Sequence, residues 1–184
     1  MRKIAVLVGS LRRASINRTL AHALEKLGKD EFTFIYPDLN LPLYNDDLWE
    51  NPPASVLALK RDLADADGII FATPEFNRSI PAVLKNAIDW GSRPYGESSW
   101  TGKPISVIGA SPGRIGTAAA QVGLRSVLVT QNAFVMGQPE VYLAFPEGLI
   151  DGDLTVTDET TRNFLKEYLT RFGEWIDKMP KLDK

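Results

Sequence analysis

Three short stretches carry the residue types that could do chemistry. The first, GSLRRASIN (residues 9–17), crowds two arginines, two serines, an asparagine and a glycine between an apolar run and a segment of helical spacing. Ser15 is placed to cap that helix, with Ile16 as its first residue. A helix N-terminus offers free backbone N–H groups and a partial positive charge, which suits an anion. Ser10, Ser15 and Asn17 add neutral donors, while Arg12 and Arg13 add full charge in a forked geometry. The stretch matches neither G-x-x-x-x-G-K-[ST] nor G-x-G-x-x-G. A terminal phosphate monoester therefore fits better than a pyrophosphate. The competing reading of this stretch alone is a serine-capped turn with solvated arginines.

The second stretch is TPEFNRSIPAVLKNAIDW (residues 73–90). Pro74 stiffens the chain past an apolar run, and Ser79 can cap a helix with Pro81 tolerated in its first turn. The backbone groups of Glu75, Phe76 and Asn77 have no helix or strand to satisfy them, so they are open to a planar heteroaromatic ring. Phe76 would give that ring an apolar wall; alternatively it covers core, and Glu75 only pairs with a surface arginine. The third stretch is ASPGRIGTAAAQ (residues 110–121), where Gly113 and Gly116 let the chain approach a ligand closely. Ser111 could donate to a ring edge. The alanines at 118–120 suit tight helix packing.

Short apolar runs alternate with amphipathic segments along the chain and would position these stretches. The pattern predicts strands over residues 3–9, 31–36, 68–73, 104–110 and 133–136, and helices over 16–27, 53–64, 80–90, 116–130 and 159–178. Strict alternation implies an α/β fold, a parallel sheet with helices on both faces. Five strands and five helices fit the doubly wound order 2-1-3-4-5, as one domain over residues 1–184. In that order ligands bind beyond the carboxyl ends of strands 1, 3 and 4, and all three stretches follow those strands. Residues 137–158 are long for a loop, which calls for a function or some strand content there.

Composition narrows the chemistry. The chain of 184 residues has 44% hydrophobic and 24% charged residues and a net charge of -2, with no basic run. That disfavours nucleic acid as a partner. No stretch approaches the roughly 20 apolar residues that span a bilayer, and a strand begins at the N-terminus where a signal peptide would sit. No membrane association and a cytoplasmic location are expected. There is no cysteine, and the single histidine, His22, sits mid-helix among Leu20, Ala21 and Ala23. A serine-histidine-acid triad and a histidine-rich metal site are thereby disfavoured, so an enzyme here would draw its chemistry from a bound cofactor.

The motifs carry a resemblance. Gly9, Ser10, Arg12, Ser15 and Asn17 match G-S-x-R-x-x-S-x-N of the NADPH-dependent FMN reductase family. Pro74 to Trp90 match its P-E-Y-N-x-S-x-P-G-x-L-K-N-A-I-D-W, with Phe76 for tyrosine and Ala82 for glycine. Ser111, Gly113 and Gly116 meet the third motif, with Thr117 where a further glycine is usual. The chain most closely resembles the family's bacterial chromate and quinone reductases, over roughly three quarters of its length.

The resemblance implies a flavodoxin-like three-layer sandwich binding FMN. Ser10, Arg12, Ser15 and Asn17 would hold the 5′-phosphate; Pro74, Glu75, Phe76 and Asn77 would border the isoalloxazine; Ser111 would close its far side. NADPH or NADH would give a hydride to the flavin, and a quinone, with chromate, azo compounds or free flavin as further acceptors, would take the electrons. No side chain is expected to act as a catalytic acid or base. The alternative is a flavodoxin-type carrier or a flavin-binding sensor, against which Arg12 and the weak net charge both count. The resemblance also implies a homodimer or homotetramer, with Trp49, Tyr95, Trp100 and residues 139–146 offering apolar surface. Arg78 and Arg125 are candidates for interfacial ion pairs, Glu140 being one partner.

Overall fold

A computed structural model describes residues 1–180; the last four residues of the expected domain lie outside the described residues. The strands are β1 (Arg2–Val8), β2 (Phe32–Ile35), β3 (Gly68–Ala72), β4 (Pro104–Ser111), β5 (Phe134–Val135) and β6 (Val141–Ala144). The helices are α1 (Ile16–Gly28), α2 (Ala54–Asp65), α3 (Ala82–Gly91), α4 (Ala118–Thr130) and α5 (Glu159–Lys178), with a 3-10 turn at Asp46–Glu50. The sheet is parallel, in the expected order β2-β1-β3-β4-β5.

Alternation along the central strands separates two cores. Ile4, Val6 and Val8 of β1 face α1 and α5, against Leu20, Leu24, Leu165, Tyr168 and Phe172. Ala5 and Leu7 face α2, α3 and α4, against Leu59, Leu63, Leu84, Ile88, Leu124 and Leu128. Both faces of β3 are buried, which is why its sequence, GIIFA, is wholly apolar.

The sheet departs from expectation at its edge. The fifth position is shared by two short strands: β5 pairs with Pro104 and Ile105, and β6 pairs with Ile108 to Ser111. The intervening residues 136–140 contain Pro139, which has no N–H to give a ladder. Strand β6 is thus the strand content anticipated within residues 137–158. It also places residues 141–144 in the sheet, not on a free apolar surface. Trp100 is likewise no surface residue: it is fully buried, and its indole N–H donates to Ile88 O at 3.0 Å. Of the three aromatics expected at the surface, Tyr95 is the one in full exposure.

Half of the second motif is architecture. Asn86 accepts from Tyr44 N at 2.8 Å and donates to Pro42 O at 2.9 Å, and Trp90 Nε1 donates to the same carbonyl at 2.8 Å. Both side chains of α3 therefore fasten the long connection after β2. The helix starts later than expected, with Pro81 as its N-cap and no side-chain cap, so Ser79 does not cap it. Instead, Phe76 and Ser79 pair through both backbone bonds, at 3.2 and 2.8 Å, closing a two-residue turn. Asn77 (φ 49°) and Arg78 (φ 59°) are both left-handed there, the geometry of a type I′ hairpin. Asparagine tolerates that conformation well, arginine less so.

Candidate functional site

The carboxyl ends of β1, β3 and β4 lie side by side: Val8 pairs with Ala72, and Ala72 with Ile108. Backbone bonds extend this alignment into the loops, from Gly9 N to Ala72 O at 2.9 Å and from Thr73 N to Ile108 O at 2.9 Å. All three stretches singled out in the sequence therefore open at one end of the sheet, at its winding switch.

In the first loop, Ser15 caps α1 as expected, its Oγ accepting from Arg18 N at 3.3 Å. Ser10 Oγ accepts from Arg12 N at 3.3 Å, curling the loop on itself, and the side chains of Arg12 and Arg13 are exposed. Arg18, a residue the sequence reading passed over, also belongs here, because its guanidinium reaches back to Ser10 O at 3.4 Å. Its position three residues past the cap was the available signal: it places the side chain over the preceding turn.

Asn17 is placed differently from its expected role. It is buried, and its amide makes two hydrogen bonds with Ala110, donating to the carbonyl at 2.9 Å and accepting from the N–H at 2.8 Å. The side chain thus ties the start of α1 to the end of β4. What it leaves for an anion is its backbone N–H in the first turn of the helix. Gly9 also has a packing reason: a Cβ there would come within 2.8 Å of Leu84 Cδ1 and 2.9 Å of Pro74 Cδ.

In the second loop, the Pro74 carbonyl accepts from Thr73 Oγ1 at 2.7 Å. Phe76 is 62% exposed, so its ring is open to a ligand, but its backbone is taken up by the hairpin and is not available. Glu75 is directed inward. One carboxylate oxygen accepts from Ala119 N at 3.0 Å and Ala120 N at 3.2 Å; the other accepts from Arg78 Nη1 at 3.2 Å. In the third loop, Ser111 Oγ lies 2.7 Å from Gly116 O and 3.1 Å from Gly113 O, so its proton is engaged within the loop and the hydroxyl is left to accept, not to donate. A Cβ at Gly113 would meet only Ser111 Oγ, at an unstrained 3.8 Å, whereas Gly116 (φ +62°) approaches β6 and not a ligand: a Cβ would lie 2.9 Å from the Tyr142 carbonyl carbon. Exposed Leu11, Phe76 and Ile115, one from each loop, rim the opening.

Other polar residues are used elsewhere. Arg125 donates to Met136 O at 2.6 Å and stands 3.8 Å from Glu140, so the pair expected between subunits forms within the chain. Burial and the Glu140 carboxylate push the Tyr142 phenol up, keeping its proton for the 2.7 Å bond to Glu140. His22 has found a partner, Glu25 at 3.1 Å, and its ring packs on Tyr36 with centroids 4.5 Å apart. Burial, then the same glutamate, raise the Tyr36 phenol, and no nucleophile is involved. A cavity of about 1140 Å³ opens at the opposite end of the sheet. Lys60 and Lys103 in its wall bond backbone carbonyls of Arg93, Glu97, Ala64 and Ala66. Those lysines staple connections together, and none of the three motifs reaches that cavity.

The chain is similar to known proteins over most of its length. Residues 2–147 match the family described as NADPH-dependent FMN reductase. The chain is 47% identical over 175 residues to a 2-hydroxy-1,4-benzoquinone reductase of Burkholderia sp, covering 95% of this chain and 96% of that one. It is 42% identical to a quinone reductase of Pseudomonas putida, covering 94% of each. Among solved structures it resembles FerB of Paracoccus denitrificans, a flavoenzyme NAD(P)H:(acceptor) oxidoreductase. The TM-score is 0.95 at 44% identity, covering 97% of this chain and 99% of FerB. Fold, motifs and relatives coincide, and the chain belongs to the NADPH-dependent FMN reductase family.

Proposed function

We propose that the protein is an FMN-dependent NAD(P)H oxidoreductase whose acceptor is a quinone, with FMN lodged where the three loops meet. One observation carries the reading: the N-terminus of α1, with Arg12, Arg13 and Arg18 around it, opens beside two loops that each present an exposed apolar side chain, Phe76 and Ile115. A phosphate monoester joined to a planar ring matches that donor set. Ser10, Arg12, Ser15 and the first-turn N–H of Asn17 hold the phosphate. Pro74, Phe76 and Asn77 line one edge of the ring, with Phe76 contributing its side chain, and Ser111 accepts from the other edge; the Glu75 carboxylate is turned away from the ring, to the start of α4 and Arg78. When bound, FMN supplies the capacity to take a hydride from NADPH or NADH and to deliver two electrons to an acceptor. The side chains bind and orient; none near the cleft is arranged as an acid–base pair. A flavodoxin-like carrier would hold flavin in the same place without oxidising NAD(P)H. With that reading goes a cytoplasmic location. No helix among the described residues is long and apolar enough to cross a membrane.

Replacing Arg12 with alanine is expected to weaken FMN binding about 30-fold, near 2 kcal/mol, by removing a charge-assisted contact to phosphate. Fluorescence titration measures it, and an unchanged affinity would remove Arg12 from the site. Riboflavin, which lacks the phosphate, is expected to bind the parent protein poorly; equal binding of the two would undo the assignment of the loop.

We also propose a homodimer or larger assembly through α4. Ala119, Val122, Ser126 and Val129 lie along its exposed face at steps of three and four, and Val122 and Val129 are 61% and 62% exposed. Light scattering is expected to give at least twice the chain mass, and a monomer at micromolar concentration would contradict it.

A further inference from the structure

We propose that the Glu75 carboxylate is a positioning residue that fixes the width of the ring cleft by locking the second loop to the start of the third-loop helix. The proposal rests on the reading that this cleft takes FMN. Helix α4 has no cap of its own: Thr117, its N-cap residue, makes no side-chain capping bond, and its hydroxyl accepts instead from Gln121 Nε2 at 3.1 Å. Glu75, 44 residues before Ala119, supplies the cap by accepting from Ala119 and Ala120 with a single oxygen. A carboxylate suits that place, since it meets free N–H groups and the positive end of the helix dipole.

The consequence goes beyond capping because of what flanks each end of the link. Pro74 is held through its carbonyl by Thr73, and Phe76 through both backbone groups by Ser79. On the other side, Gly116 rests on the Tyr142 backbone immediately before α4 begins. Each loop is therefore stiff in itself. Among the described residues, Glu75 makes the one side-chain hydrogen-bond link between them. The Glu75 side chain is 11% exposed, against 72% for Arg78, so the inward bonds matter and the ion pair is peripheral. Reach therefore counts for more than charge at this position, and three substitutions separate the two. Glutamine keeps the length and an accepting oxygen for both N–H groups. Aspartate keeps the charge but falls one methylene short. Alanine removes both.

The test measures FMN affinity, quinone KM and kcat separately, and melting temperature, for the parent and for Glu75→Gln, Glu75→Asp, Glu75→Ala and Arg78→Asn. Glu75→Ala and Glu75→Asp are expected to raise the FMN Kd about tenfold, from a loosened cleft that has lost charge-assisted bonds. Both should also raise quinone KM more than they lower kcat. Glu75→Gln should stay within about threefold of the parent on the same scale, and Arg78→Asn, which suits the left-handed turn, should match the parent. If the alanine variant does not fold, the aspartate and glutamine variants still decide the matter. The reverse order, with aspartate parent-like and glutamine impaired, would overturn positioning in favour of a purely electrostatic role. Lower melting temperatures with unchanged Kd and KM would overturn it in favour of a cap that serves stability alone. Failure of the parent itself to bind FMN would strike the functional reading, a result distinct from either.

Discussion

Alanine at position 109 should be among the most damaging single methyl groups that can be added to this protein. Gly109 lies in β4 beside Tyr142 of β6, on the side of the sheet that faces α4. A Cβ there would run into the hydroxyl of buried Thr117 and the backbone carbonyl of Thr73, and would sit 3.0 Å from Thr117 Cβ. The hydroxyl could rotate away, but the carbonyl cannot, because it belongs to the residue whose N–H is bonded to Ile108. Overpacking against backbone costs about 3 kcal/mol, which for a chain of this size lowers Tm by about 10 °C. Both clashing residues border the site, Thr73 before the second loop and Thr117 after the third, so flavin affinity should fall with stability. Thermal unfolding followed by circular dichroism checks the first effect. A shift below 2 °C would show that the strands give way more easily than their packing implies.

The second large effect is expected at Asn17. Its amide satisfies both backbone groups of Ala110, which is buried near the end of β4, past Ile108 where the pairing with β3 stops. Asn17→Ala leaves a buried donor and a buried acceptor unpaired, at about 3 kcal/mol together, or roughly a hundredfold in the folded-to-unfolded ratio. Asn17→Asp should do little better, since it restores the acceptor but sets a negative oxygen against the Ala110 carbonyl. Denaturant unfolding measures the loss. A loss below 0.5 kcal/mol in both variants, on the scale of ordinary surface substitutions, would mean that water replaces the amide and that this tie is dispensable.

Asn17 also shows what the sequence could and could not disclose. Its membership of the first motif was legible, and so was the loop's place beyond β1. Its bond to Ala110, 93 residues away, was not, because a motif gives spacing along the chain and not the partner across the sheet. The same holds for Glu75, whose partners are the N–H groups of another loop's helix. The order of the central strands was readable, since β1, β3 and β4 are long apolar runs between clear breaks. Strand β6 was legible only as strand content somewhere within residues 137–158, not by position: four residues, VYLA, following Pro139, give little period to read. Trp100 misled for a related reason, because it stands outside any regular element yet fills the core beside Phe71, with ring centroids 5.6 Å apart. The type I′ turn at Asn77–Arg78 was masked by arginine in a place where glycine usually announces it.

The central claim is that the three loops hold a flavin able to pass electrons from NAD(P)H to a quinone. The most direct test is the visible spectrum of the protein with one equivalent of FMN, followed by NADPH and then a quinone in the same cuvette without oxygen. NADPH is expected to bleach the bound flavin and the quinone to restore its colour, with one NADPH consumed per quinone. A flavin that stays bound but is not bleached by NADPH or NADH would contradict it and return the protein to the class of carriers.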